Sequence, residues 1–366
     1  MVARPRLRPG LCRVWRDPTT LQLGISPGPG LVLSGVQPGD EAVIAALDGA
    51  HDLVQLGQVA TRHRVARRRV DELLRLLDDA HLLLSLADVD QADRAHLSAL
   101  GRKAQLRLKP DADSWSLVHD VDGLRLVAAR TKRTVSLRDG GRPGGTRDQP
   151  SSGLGRFAAV LAATLRDCGV GKVEAFGDET GTAKPDLVVL IGQDVLDARL
   201  GDDLVRDDVE HLGIVVGPDR IVVGPMVVPG RSPCLRCLDL HRRDRDPAWP
   251  HLLTQLLASR DPAPAVGETA LGTAAAGVAA LQVLNQVDGL TGADAVGRTL
   301  ELALPHGAVQ RRSWPGHASC GCARLPEPPA DDAAAEQAPS SPPASKRPPR
   351  RQSGTASVAV TQGIRP

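Results

Sequence analysis

Pro233-Cys234-Leu235-Arg236-Cys237 and, far down the chain, Cys320-Gly321-Cys322 hold four of the six cysteines of a 366-residue sequence. A two-residue spacer in the first pair and a one-residue spacer in the second let both sulfurs of each pair turn toward one tetrahedral centre. That is the geometry of a closed, structural Zn2+ site. Such a site ties the end of an α/β domain to a segment that returns from further along the chain. Two local redox pairs are the competing reading. A disulfide framework is not expected, because no secretion-type apolar region follows Met1, and a thioredoxin-type pair sits before a helix in a short βαβ context.

Working outward, the length suffices for two modest domains with a core in each. Charges are abundant but nearly balanced, at +2, so net charge does not argue for nucleic acid. Four Trp, two Phe and no Tyr leave Leu, Val and Ala to build the core and exclude an aromatic base-stacking platform. No uninterrupted apolar run approaches the length of a membrane span. A cytoplasmic location without membrane attachment is the expectation.

Before the first cysteine pair, the pattern is that of alternating strands and helices. Residues 186–191 read as a buried strand, 196–206 as a helix, and 211–216, 220–224 and 226–228 as further strands. An Ala-rich helix over 268–288 and a strand over 298–304 lead back to the second pair. Upstream, Gly153 and Gly155 open a helix that closes at Gly169-Val170-Gly171, and residues 172–176 read as a strand ending near Asp178. Glycines at a helix start let backbone approach a phosphate, and an acid at the next strand tip holds a ribose hydroxyl. The polar hexapeptide 147–152 cannot be the buried strand such a turn requires. Residues 133–137 are the candidate, reached through a loop.

The first ninety residues read differently. Short strands at 12–16, 20–23 and 31–33 precede helices near 38–48, 51–61 and 66–80, with residues 81–84 returning as a wing or strand. This is a compact winged-helix-like α+β module. Its Arg67-Arg68-Arg69 run is offset by Asp71, Glu72, Asp78 and Asp79, so a charged helix face explains it without DNA. A sheet edge that accepts an added peptide strand is the better use of three short strands beside a helix. Residues 105–108, 116–118 and 124–127 read as strands in a poorly defined stretch, 91–150. The Pro/Ser/Ala-rich residues 324–366, with Lys346-Arg347 and Arg350-Arg351, read as a disordered tail.

The order of elements over 153–322, with Gly153-Leu-Gly155, Gly169-Val-Gly171, Asp178, Asp186-Leu-Val-Val and Pro233-Cys-Leu-Arg-Cys237, resembles the ThiF/MoeB/HesA superfamily, the adenylating fold shared with ubiquitin-activating enzymes. Leu7-Arg-Pro-Gly10, Leu21-Gln-Leu-Gly24 and Leu47-Asp-Gly49 resemble a leader-peptide-recognition module. Such a module precedes this fold in actinobacterial TOMM and bacteriocin-type proteins, which act with cyclodehydratases. Active ThiF-type members bind ATP and Mg2+ and adenylate a C-terminal carboxylate, using an Arg and a Lys that follow the ribose-binding acid. Here residues 179–185 replace that segment, and only ten positions separate Phe176 from Asp186.

The resemblance therefore implies a Rossmann-like ThiF-type α/β domain over 151–323, with Zn2+ on Cys234, Cys237, Cys320 and Cys322, preceded by a peptide-clamp module over 4–90. The expected function is that of a non-catalytic scaffold. It binds a precursor peptide or small protein and presents it to a partner, with a YcaO-type cyclodehydratase as candidate and a homodimer as a further possibility. The alternative is an ATP-dependent adenylyltransferase. In it Gly153, Gly155 and Asp178 hold the nucleotide, Asp194 holds the metal, and Lys184 stands in for the missing cations. A DNA-binding regulator is the third reading. His211, at the start of an apolar strand, is expected to be structural. Asp239, His241 and residues 242–246 are expected to form a solvated helix end, with Trp249 and Trp314 filling gaps near the metal.

Overall fold

The computed structural model describes residues 4–25, 30–85, 101–119, 121–141, 152–175, 184–258, 267–290, 294–323 and 361–362. The chain divides into two units, residues 1–128 with 337–366, and residues 129–336.

In the first unit, β2 (Arg13–Asp17), β3 (Thr20–Leu23) and β4 (Leu31–Ser34) form an antiparallel meander. Pro18-Thr19 makes the first turn, and the Asp17 carboxylate accepts the Thr19 N–H at 2.8 Å. Three helices follow: α1 (Asp40–Ala45), α2 (Leu53–Arg62) and α3 (Arg67–Asp79). Asp52 and Gln55 close a reciprocal capping box at the start of α2, satisfying two of the backbone donors a helix start leaves open. Leu21, Leu23, Leu31 and Leu33 alternate onto one sheet face and meet Ile44, Leu56, Leu73 and Leu77 in a single core. Each such side chain contributes about 1.5–3 kcal/mol on burial. A strand the sequence had not suggested, β1 (Pro5–Leu7), pairs antiparallel with β5 (Leu83–Ser85). Beside β1, Arg8 is buried and donates to the Ser116 and His119 carbonyls at 2.7 and 2.8 Å.

Those carbonyls lie at the end of α4 (Gly101–Val118), which is followed by α5 (Gly123–Arg130). Both helices stand where strands were expected. Gln105-Leu-Arg-Leu108 alternates as a strand does, yet the residues actually buried are Leu108, Ala112 and Ser116, four apart on one helical face. Short apolar runs do not distinguish the two periods.

The second unit is built on a seven-stranded sheet of order β12-β11-β10-β9-β8-β6-β7. Four neighbours are parallel: β7 (Lys172–Glu174), β6 (Thr134–Asp139), β8 (Leu187–Gln193) and β9 (His211–Val216). Thus β6 is the strand that the polar hexapeptide before α6 could not supply. Beyond β9 the sheet continues antiparallel through β10 (Arg220–Val227), β11 (Arg298–Ala303) and β12 (Val309–Ser313). The two strands expected over 220–228 are one, with a register shift between Val223 and Met226. Every residue of β8 is buried, as a parallel strand covered on both faces requires.

Val188 and Leu190 share one core with Leu204 of α7 (Ala198–Arg206) and Leu235 of α8 (Leu235–Arg245). Pleating turns Leu187, Val189 and Ile191 to the other face. α6 (Ser152–Asp167) packs there against β7 and β8, and α10 (Thr269–Val287) packs on α6 and β10. α9 (Trp249–Ala258) lies between α8 and α10 in sequence. At the C-cap of α10, Asp288 pairs with the fully buried guanidinium of Arg130 at 2.6 Å. By length and composition alone α10 is apolar enough to cross a membrane over its best window, although Thr273, Gln282, Asn285 and Gln286 interrupt its apolar run. Half of that window is buried in this unit's core.

Candidate functional site

The metal centre is set up by the start of α8. Cys234 is its N-cap residue and Cys237 lies in its first turn, where the Cys237 N–H donates to the Cys234 carbonyl at 3.0 Å. Cys322 sits in a short 3-10 turn, Gly321–Ala323, with Cys320 just before it. The four sulfurs lie within 4.8 Å of one another. Neighbouring Sγ atoms are 3.9 Å apart for Cys234–Cys237, 3.5 Å for Cys234–Cys320, 3.2 Å for Cys237–Cys322 and 3.3 Å for Cys320–Cys322. All are too long for disulfides. A tetrahedral ion with metal–sulfur bonds near 2.3 Å separates its sulfurs by about 3.8 Å. The four expected ligands are therefore brought together in a cluster that fits a metal ion.

The charge state of the cluster points the same way. Hydrogen bonding from the Cys234 thiol holds Cys237 far below the usual thiol range, at about 4, and the His317 N–H at 3.4 Å adds to this. Cys234 is raised by the same hydrogen bond and by burial, and burial pushes Cys322 up to about 12. Without a cation the thiolate thus falls to Cys237 rather than to Cys234 or Cys322. A bound divalent ion supplies the positive charge that lets the other sulfurs ionise.

Side chains on α8 hold the returning segment in place. His317 accepts the Ser319 N–H on Nδ1 at 3.0 Å and donates from Nε2 to Asp244 at 2.7 Å, while His241 donates to the Pro315 carbonyl at 2.9 Å. The stretch is a solvated helix end, as expected, with Asp244, Arg245 and Asp246 exposed, and it also clamps residues 315–319 beside the second cysteine pair. Asp239 is half-buried, and desolvation raises its carboxyl; the Trp249 indole N–H reaches it at 3.2 Å. Trp314 is buried, with its indole N–H on Thr299 Oγ1 at 3.0 Å. The i, i+3 spacing of His241 and Asp244 on α8 was the available signal for this clamp; their partners, some seventy positions away, were not.

The second candidate region is the carboxyl edge of the parallel strands, where open α/β sheets bind ligands. Gly140 follows β6, donating to the Ile191 carbonyl and accepting from the Asp197 N–H, both at 2.8 Å. A Cβ on Gly140 would fall 2.9 Å from the Gly192 backbone nitrogen, so glycine is needed for this close approach. Gly153 and Gly155 lie within the first turn of α6. Asp194 immediately follows β8, exposed and in a left-handed conformation (φ +60°), its N–H on the Val216 carbonyl at 3.1 Å. Asp178 lies outside the described residues.

Lys184 is elsewhere. It precedes β8, and its ammonium donates to the Asp207 and Asp208 carbonyls at 2.8 and 3.0 Å, at the C-terminus of α7. A cation is well placed there against the helix dipole. Seven strand residues, about 23 Å at ~3.3 Å each, separate it from Asp194 at the far end of β8. The substitution of Lys184 for the missing phosphate-binding pair is therefore not what the geometry displays. Between the first turns of α6 and α10, Arg156 donates to Thr269 Oγ1 at 2.8 Å. The cavity beside them, lined by Phe157, Val216, Glu268 and Gly272, measures about 20 Å3. That volume holds roughly one water.

No protein-family model matches the chain, and no curated protein matches its sequence. Solved structures do. E. coli MccB bound to AMPCPP and MccA superposes with a TM-score of 0.56, covering 87% of this chain and 98% of its own at 10% identity. The chain therefore shares the fold of MccB. A heterocyclase in complex with substrate and cofactor matches with a TM-score of 0.57 at 17% identity over 87% of this chain and 39% of its own. The heterocyclase TruD matches with a TM-score of 0.58 at 15% identity over 88% of this chain and 43% of its own. The chain thus spans about two fifths of the heterocyclases it matches, and nearly the whole of MccB. At these identities the likeness is one of fold alone.

Proposed function

We propose that this chain is a peptide-binding scaffold on a ThiF/MoeB-type fold. Its first unit acts as a winged-helix-like clamp, adding a precursor peptide as a strand. A structural Zn2+ on Cys234, Cys237, Cys320 and Cys322 holds the second unit together. A separate ATP-using enzyme of the YcaO cyclodehydratase type carries out the modification. The observation that carries the non-catalytic reading is the position of Lys184, bound to carbonyls at the opposite end of β8 from Asp194. Phosphoryl and adenylyl transfer need cations at the developing charge. The likeness to heterocyclases, and to MccB solved with the peptide MccA, supports peptide handling.

The second reading is an ATP-dependent adenylyltransferase acting on a peptide carboxylate. Gly153, Gly155 and Asp178 would hold the nucleotide and Asp194 the Mg2+. MccB, the microcin C7 biosynthetic enzyme, matches over nearly its whole length and was solved with AMPCPP, so the comparisons favour this reading more directly than the first.

The test uses synthetic precursor-type peptides with a Cys/Ser/Thr-rich core, fluorescently labelled and titrated with the zinc-replete chain. The scaffold reading expects micromolar binding without nucleotide, unchanged by ATP and Mg2+, and lost in Val32→Pro. Pyrophosphate release on adding the peptide would establish the second reading instead.

A further inference from the structure

The meander of the first unit has two edges of different character. β2 is exposed along its whole length and carries Arg13, Trp15, Arg16 and Asp17. Charges on an edge strand discourage further pairing. β4 is the opposite: Leu31-Val32-Leu33-Ser34 has no charge and no proline, and Leu31 and Leu33 are anchored in the core. Its backbone is presented without any of the usual devices that protect an edge.

That edge is filled by the chain itself. β13 (Thr361–Gln362) pairs antiparallel with β4, Thr361 opposite Val32 and Gln362 opposite Leu31, extending the sheet to the order β13-β4-β3-β2. The sequence around β13 is suited to the role. Residues 352–364 carry no charge and include Val358, Val360 and Thr361, β-branched residues that fit a pleated strand. Fully extended, residues 324–360 reach on the order of 100 Å, so length does not prevent the pairing.

We infer that β13 is a built-in occupant of the β4 edge, so that an incoming peptide strand gains access only by displacing it. The inference builds on the peptide-clamp reading and specifies its regulation. Main-chain hydrogen bonds give strand addition its affinity, and they are open to either strand, one at a time. A tethered competitor acts at an effective concentration on the order of a millimolar or below. It excludes weak peptides and yields to a tight one.

The experiment compares the full wild-type chain with the full chain carrying Thr361→Pro and Gln362→Pro. These changes lie outside both cores and deny β13 its donors and extended pairing. The probe is a fluorescein-labelled synthetic peptide of residues 355–366. It should bind the double variant roughly tenfold more tightly than wild type, the effect of removing a tethered competitor. Amides of Leu31–Ser34 should exchange faster with deuterium in the variant when no probe is present. Equal affinity for the two chains, unchanged exchange, or equal binding of a scrambled peptide would each overturn the inference. Because probe and competitor are both this chain's own residues, failure of a precursor peptide to bind would count against the clamp reading alone.

Discussion

Cys237 accepts the His317 N–H and stands in the first turn of α8, so both a hydrogen bond and the helix N-terminus favour its thiolate. The returning cysteines are held opposite by His317 on Asp244 and His241 on Pro315. Purified protein should carry close to one equivalent of zinc, measured by plasma mass spectrometry, and Cys237→Ser should lose it. The unfolding midpoint should fall by roughly 5–10 °C, a loss of about 2–4 kcal/mol for a unit of this size. Metal-free wild type with an unchanged midpoint would contradict a structural metal. The cysteine ligands were legible because spacing alone aims paired sulfurs at one centre. The clamp was not, since His241 and Asp244 acquire their roles from residues brought near only by folding.

His211 makes a second residue-scale case. It is fully buried, its Nδ1 bonds the Val209 carbonyl at 3.0 Å, and its Nε2 has no partner. Charging the ring places a second proton on that buried, unpartnered nitrogen, so burial lowers its pKa from the ordinary 6.5. Between the lowered value and 6.5 the unfolded chain binds more protons than the folded one. This contribution to stability is complete above pH 6.5 and is lost as pH falls toward the folded value. Urea unfolding between pH 8 and 5.5 should show a slope steeper in wild type than in His211→Gln, by at most about 1.4 kcal/mol per pH unit. Equal slopes would mean that His211 does not titrate differently on folding. The expectation of a structural histidine was readable from its place in an apolar strand, but its unpartnered nitrogen was not.

At the scale of elements, Gly169 and Gly171 illustrate how a glycine motif divides into separate jobs. Gly169 takes a positive φ of 93° where α6 ends, the usual device for stopping a helix. Gly171 passes the Thr131 carbonyl so closely that an added Cβ would lie 2.0 Å from its oxygen. Gly171→Ala should therefore cost about 1–3 kcal/mol through forced backbone movement. Gly277→Ala, in the interior of α10 with nothing within 4 Å of the added carbon, should instead stabilise by about 0.5–1 kcal/mol. Chemical denaturation of the two variants beside wild type reads both signs, and a neutral Gly171→Ala would refute the close approach. The sequence supported the long Ala-rich helix and the apolar parallel strands because each has one period and one environment. It did not support α4, whose Leu106 is exposed while Leu108 is buried, nor β12, all of whose residues are exposed. Neither element carries a clean hydrophobic alternation for sequence reasoning to find.

For the whole molecule, the fold and the working site separate. The apolar strands, the body of the helix over 158–167 and the cysteine cluster were legible, since each follows from an apolar period or a ligand spacing; the first turns of that helix, from Ser152, were not. The strand over 186–191 already put Lys184 and Asp194 at opposite ends, but the Asp207 and Asp208 carbonyls that hold Lys184 there come close only on folding. The proposal that this edge no longer serves a nucleotide is tested most directly by calorimetry. ATP with Mg2+ is titrated into the zinc-replete full chain, and the titration is repeated with Asp178→Ala. The account predicts no binding heat up to millimolar ATP in either protein. Micromolar binding that Asp178→Ala abolishes would contradict it and establish a working nucleotide site.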